Sequence, residues 1–167
     1  MPGRAERWGV WGAISGPPNV SMSQAIPTYR WDPVSRPGTV GSVMDDTHVV
    51  SIVDDDASVR EALESLFRSV GLPVVSFPSA EAFLAAGQAR TTTCLILDLR
   101  MPGLDGLGLQ QRLIRAGHTI PTVILTGHGD DDARVRAVGA GAVAFMVKPF
   151  DAEFLVRVVD AALGTHA

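Results

Sequence analysis

The sequence predicts an α/β domain: a doubly wound, five-stranded parallel sheet in strand order 2-1-3-4-5, with helices on both faces. Three observations predict it. From residue 48 onward, short apolar runs alternate with helical stripes. The runs in the middle of the chain are apolar at successive positions, as in parallel strands covered on both faces, not alternating as in strands with one wet face. Five such βα units fill residues 48–163, and right-handed crossovers then place the helices on the two sides of the sheet.

Each element has its own signal. His48–Val53 is the first strand, and Val59, Ala62, Leu63, Leu66, Phe67 and Val70 form the stripe of the first helix. Gly71 ends that helix, and Pro73 opens the second strand, Val74–Phe77. Ser79 caps a short helix through Phe83 and Leu84. Cys94–Leu97 is the third strand; Leu107, Leu109, Leu113 and Ile114 mark the third helix, which stops near Gly117. Thr122–Leu125 is the fourth strand, and Asp130 and Asp131 lead into a fourth helix over residues 130–138. Ala142–Val147 is the fifth strand, and Asp151 caps a last helix with the stripe Phe154, Leu155, Val158, Val159 and Ala162. The flavodoxin-like order 2-1-3-4-5 is the arrangement that fits these five units.

Bulk properties narrow the function. The chain has 167 residues, 46% of them hydrophobic, which suits one domain plus an extension. No apolar run approaches the roughly 18 residues of a membrane span, and the Pro- and Gly-broken start is no signal peptide. A cytoplasmic protein without a membrane partner is expected. The single cysteine, Cys94, sits inside an apolar strand and reads as a small core residue. Residues 44–167 carry ten basic and sixteen acidic side chains, a balance that argues against direct nucleic-acid binding. Thirteen of the fourteen basic residues are Arg, so the one lysine, Lys148, stands out.

Residues 1–45 show no helical or strand periodicity, and six of the eleven prolines lie there. They are expected to form a disordered or low-order extension. One account places the true start near Met44; the other makes the segment a tail that docks a partner.

In doubly wound sheets the ligand site lies beyond the carboxyl ends of the strands. The first strand delivers Asp54, Asp55 and Asp56 there; the third, Asp98; the fourth, Thr126; the fifth, Lys148 and Pro149. Carboxylates crowded together repel, and at least one pKa rises unless a cation compensates. Mg²⁺, which binds through one or two carboxylates plus water and phosphate oxygens, meets that need. Lys148 adds a second positive charge and Thr126 a hydroxyl. Carboxylates, Mg²⁺, ammonium and hydroxyl together suit phosphoryl transfer, which is mainly positioning and charge neutralisation. An aspartate can be the nucleophile and become an acyl phosphate.

The motifs Val53-Asp54-Asp55, Leu97-Asp98-Leu-Arg-Met-Pro-Gly103, Leu125-Thr126-Gly127 and Lys148-Pro149-Phe150 resemble the receiver domains of bacterial response regulators. The separations of 43 residues from Asp55 to Asp98, 28 from Asp98 to Thr126 and 22 from Thr126 to Lys148 fit that family. Thr126–Asp130 and Ala140–Phe145 look closest to receivers of the nitrogen-fixation-regulator type.

The resemblance spans roughly residues 48–163, so residues 46–165 are taken as the receiver domain. It implies that Asp98 is the phosphoacceptor. It further implies that Asp55, Asp98 and the backbone carbonyl of Arg100 hold Mg²⁺, with Asp54 helping through water. Lys148 would bridge to the phosphoryl group, and the Lys148–Pro149 bond would be cis. Thr126 would move toward a phosphoryl oxygen, and Phe145 would turn inward as the aromatic switch. Asp56 exceeds what the family needs and reads as a solvated or helix-entry residue. The implied partners are a sensor histidine kinase and a downstream protein, met through the face of helix 4, strand 5 and helix 5. Phosphorylation-dependent homodimerisation stays open. The chain would catalyse only its own phosphoryl transfer and autodephosphorylation. No effector sequence follows residue 163, which suggests a stand-alone receiver or a fragment of a longer regulator.

Three rivals are weaker. An aspartyl phosphatase would carry a second Asp two residues after the nucleophile, where this chain has Arg100. A flavodoxin-type binder needs a Ser/Thr/Gly-rich phosphate loop after the first strand, where three carboxylates stand instead. A pseudo-receiver would lack the complete acceptor set. His48, His118, His128 and His166 have no metal-ligand spacing.

Overall fold

The computed structural model describes residues 48–164; the expectations for residues 1–45 and for His166 lie outside them. The elements are β1 (Val49–Val53), α1 (Ala57–Ser69), β2 (Val74–Phe77), α2 (Ala80–Ala85), β3 (Thr92–Leu97), α3 (Gly106–Arg115), β4 (Thr122–Thr126), α4 (Asp131–Gly139), β5 (Ala142–Val147) and α5 (Ala152–Leu163). A short 3₁₀ turn, Gln88–Arg90, precedes β3. The sheet is parallel throughout, in the expected order β2-β1-β3-β4-β5. No described helix is long and apolar enough to cross a membrane.

Strand side chains alternate between two apolar layers, as the period of two requires. Val50, Ile52, Cys94, Ile96, Val123 and Leu125 face one way, onto Leu63 and Phe67 of α1 and Phe154, Leu155, Val158 and Val159 of α5. Val53, Leu95, Leu97, Ile124 and Phe145 face the other way, onto Ala80 and Phe83 of α2, Leu109 and Leu113 of α3, and Ala133 and Ala137 of α4. Burial pushes the Cys94 thiol up to about 12, so it stays protonated as a core residue.

Two helical stripes are narrower than the sequence suggests. Val70 is 47% exposed and Ile114 is 51% exposed. At 3.6 residues per turn, Leu109 and Leu113 share the inner face of α3, and Ile114 is rotated away from it. Buried Gln110 takes the neighbouring inner position instead, and its Nε2 donates to the carbonyl of Ala140 at 3.0 Å.

Helix starts account for most of the acidic residues near the strand ends. Asp56 caps α1, Asp105 caps α3, Asp130 caps α4 and Asp151 caps α5, each accepting from a backbone N–H of the first turn. Ser79 does the same for α2. Asp54, Asp55 and Asp98 cap nothing.

Candidate functional site at the carboxyl ends of the strands

Strand pairing brings the reactive residues together. Val53 pairs with Leu97, so the next residues, Asp54 and Asp98, emerge side by side at the centre of the sheet. Thr126 pairs with Val147, and the N–H of Lys148 donates to the carbonyl of Thr126 at 2.8 Å. The sheet thus delivers all four residues to one edge. β2 contributes nothing reactive, in keeping with its place at the side of the sheet.

One carboxylate oxygen from each of Asp54, Asp55 and Asp98 lies within 4.8 Å of the others, the metal-sized acidic group found among the described residues. Lys148 Nζ sits 2.7 Å from Asp54 Oδ2 and 3.7 Å from Asp98 Oδ2. Asp54 is nearly buried, at 3% exposure, and its second oxygen accepts the N–H of Asp56 at 2.9 Å. Asp98 Oδ1 accepts the N–H of Arg100 at 3.3 Å. Burial raises the Asp98 carboxyl above its ordinary value, with the Asp54 and Asp55 charges adding to the effect and Lys148 opposing it. One lysine therefore shares its charge between two carboxylates and leaves the third, exposed Asp55, without a close cation among the described contacts.

That imbalance fits a hard divalent cation. The donors are all oxygens and too few to form a full cage, which suits Mg²⁺ and its retained waters. Asp54, Asp55 and Asp98 are the residues that could hold a divalent ion, and the N–H of Arg100 is bound to the Asp98 carboxylate beside them.

Thr126 is fully buried; its Oγ1 accepts from the N–H of His128 at 3.3 Å and lies 3.4 Å from the His128 carbonyl. This bond draws the start of the β4–α4 loop against the end of its own strand. Phe145 is already inside, 2% exposed, so the structure shows the inward position of a ring expected to turn in. A methyl group at Gly129 would stand 2.4 Å from Val147 Cγ2 and 3.6 Å from Phe145 Cε1, so the loop backbone lies directly over both side chains. The Lys148–Pro149 peptide bond is cis. Asp56 is a helix cap and stands outside the acidic group.

Several supporting residues escaped the sequence reading. Arg60 Nη1 donates to the carbonyl of Asp54 at 2.7 Å, tying α1 to the acidic loop. Gly106 packs so closely under the site that a Cβ would stand 2.2 Å from the Asp98 carbonyl oxygen. Arg100 Nη2 reaches Asp130 Oδ2 at 3.7 Å across the mouth of the site, between two largely exposed side chains. No local pattern announces these contacts; the Asp105-Gly106 pair, read as a cap followed by an obligate small residue, is the one signal that was there to use.

Comparison with known proteins agrees with this geometry. The sequence pattern of the response regulator receiver domain family matches residues 50–160. Nodulation protein W of Bradyrhizobium diazoefficiens is 50% identical over 114 residues, which cover 68% of this chain and 50% of that protein. The transcriptional regulatory protein FixJ of Azorhizobium caulinodans is 42% identical over 118 residues, covering 71% of this chain and 56% of that one. The crystal structure of FixJ-N superposes with a TM-score of 0.65 at 37% identity, over 74% of this chain and 98% of that one. The chain spans about half the length of the curated relatives it matches. On the match, the sheet order and the acidic group at the strand ends, the chain belongs to the response regulator receiver domain family, which works in two-component signalling by phosphorylation.

Proposed function

We propose that Asp98 accepts a phosphoryl group from a sensor histidine kinase and that the modified domain then signals by protein contact. The observation that carries this reading is the convergence of three carboxylates and Lys148 at one sheet edge. An Asp98 carboxylate oxygen forms the new O–P bond as the P–N bond of the donor phosphohistidine breaks. The departing nitrogen keeps the bonding pair and takes up a proton. Hydrolysis by water later returns the carboxylate and inorganic phosphate.

Asp54, Asp55, Asp98 and the Arg100 carbonyl are the groups we assign to Mg²⁺. When bound, Mg²⁺ neutralises charge on the phosphoryl oxygens and lowers the repulsion between donor and acceptor. Lys148 is already poised between Asp54 and Asp98 and can turn to a phosphoryl oxygen without leaving the site. The hydroxyl of Thr126 can give up its local bond with His128 for a stronger one to a charged oxygen. That movement would draw the β4–α4 loop across Phe145, which gives the charge change a packed element to bias. The output face is then α4, β5 and α5. The domain turns over no separate substrate; it catalyses its own modification and its reversal.

Incubation of the full chain with acetyl phosphate and Mg²⁺ tests the reading. Intact mass should rise by one phosphoryl group in the wild type and not in Asp98→Asn. Equal labelling of both proteins would remove Asp98 from its role.

A further inference from the structure

The β3–α3 loop is tied to α2 by a contact that the phosphoryl chemistry leaves unexplained. Glu81, in the first turn of α2, accepts the backbone N–H of Leu104 through Oε1 at 2.7 Å. Its neighbour Gly103 has φ 77, and a Cβ there would stand 2.5 Å from Glu81 Oε1 and 3.3 Å from its Cδ. The carboxylate therefore lies against the loop at two consecutive residues. The left-handed backbone at Gly103 favours glycine there, and a side chain would have to push the Glu81 carboxylate aside. The Leu104 N–H is also the main cause that holds the Glu81 carboxyl below its ordinary range.

The loop so anchored is the one that leaves Asp98. Its near end is set by the Asp98 carboxylate, which accepts the N–H of Arg100, and by the Gly106 N–H, which donates to the carbonyl of Leu99. Leu99 and Met101 are buried beneath it. Its outer shoulder, Gly103 and Leu104, rests on Glu81. Between the two ends lies Arg100, whose carbonyl is assigned above to Mg²⁺. Freeing the shoulder gives that carbonyl latitude.

We propose that Glu81 is a positioning residue for the phosphoryl site: from α2 it fixes the loop that presents the Arg100 carbonyl, and so sets Mg²⁺ affinity and the rate of Asp98 phosphorylation. The inference rests on Asp98 being the acceptor. Groups that orient metal ligands from outside typically change affinity 10- to 100-fold when lost. Glu81 is exposed and acts through several backbone bonds, so a weakening of about three- to tenfold is expected.

The test compares the full-length wild type, Glu81→Ala and Glu81→Gln. Three quantities are measured: Leu104 amide exchange in chelator, Mg²⁺ affinity from amide shifts, and the labelling rate with acetyl phosphate. In Glu81→Ala, Leu104 should exchange faster, Mg²⁺ should bind more weakly and labelling should slow, at a melting temperature close to wild type. Glu81→Gln keeps the Oε1 acceptor and should restore all three. Mg²⁺ affinity and labelling indistinguishable from wild type in Glu81→Ala would overturn the proposal. So would Glu81→Gln failing as badly as Glu81→Ala, or a labelling defect that merely tracks a lower melting temperature. A wild type that is never labelled at Asp98 would instead fell the acceptor assignment, and this inference with it.

Discussion

Replacing Lys148 with Met probes the electrostatics of the site in the absence of any metal. The substitution keeps most of the stem and removes the ammonium that lies 2.7 Å from Asp54 and 3.7 Å from Asp98. At an effective dielectric of about 20, a unit charge pair near 4 Å interacts by about 4 kcal/mol before desolvation is counted. Removing one partner of a buried pair typically costs about 3–5 kcal/mol, because the other charge stays behind. The Lys148 side chain is 21% exposed, so water takes over part of its role, and we expect a loss of about 2–3 kcal/mol. For a domain of this size, that corresponds to a fall of about 6–15 °C in melting temperature. The assay is thermal unfolding at neutral pH in chelator, repeated with Mg²⁺. Mg²⁺ should stabilise Lys148→Met more than wild type, because the divalent ion then faces carboxylates with no competing ammonium. Adding Asp54→Asn should recover part of the loss, since the stranded charge is gone. A Lys148→Met protein that melts with the wild type in chelator would refute the claim that this ammonium holds the acidic group together.

Three further outcomes are expected. Asp98 has a raised pKa in the folded state, so its folded form binds the proton more tightly; its contribution favours folding below the ordinary carboxylate range and is lost as pH rises through the folded value. Asp98→Asn should therefore melt above wild type at neutral pH in chelator, with the gap closing on acidification. Gly106→Ala would put a Cβ 2.2 Å from the Asp98 carbonyl oxygen and 2.9 Å from Leu99 Cα; a loss of about 1–3 kcal/mol is expected from such overpacking, with slower labelling by acetyl phosphate. Beryllofluoride with Mg²⁺ should shift amide resonances across α4, β5 and α5, since α4 buries only the small Ala133 and Ala137 and can move cheaply; an unchanged face would count against that output surface.

The sheet was legible in the sequence because β3, β4 and β5 are apolar run by run, and because Gly71 and Pro73 punctuate the chain between α1 and β2. The site was legible for a related reason. A doubly wound sheet sends every strand end to one edge, so Asp54, Asp98, Thr126 and Lys148 could be grouped once their strands were known. Which acidic residues were caps was less legible, since Asp56 and Asp54 look alike in one dimension and are told apart by what each accepts: Asp56 takes first-turn N–H groups, and Asp54 takes an ammonium. Ile114 and Val70 were read into the core because a stripe at helical spacing does not say how wide the covered face is. Glu81 could not be found at all from spacing, since it meets Leu104 across 23 residues and two elements. The same holds for Arg60, whose partner is a backbone carbonyl and so leaves no mark on the partner's side-chain identity.

The most direct test of the central claim is the position of the modified residue. The full chain would be phosphorylated with acetyl phosphate and Mg²⁺, reduced with borohydride and mapped by peptide mass spectrometry. An aspartyl phosphate at Asp98 becomes homoserine at that position, and this conversion is the expected result, absent when Mg²⁺ is chelated. Conversion at Asp54 or Asp55, or a label that resists reduction and hydroxylamine as a serine or threonine ester would, contradicts the account.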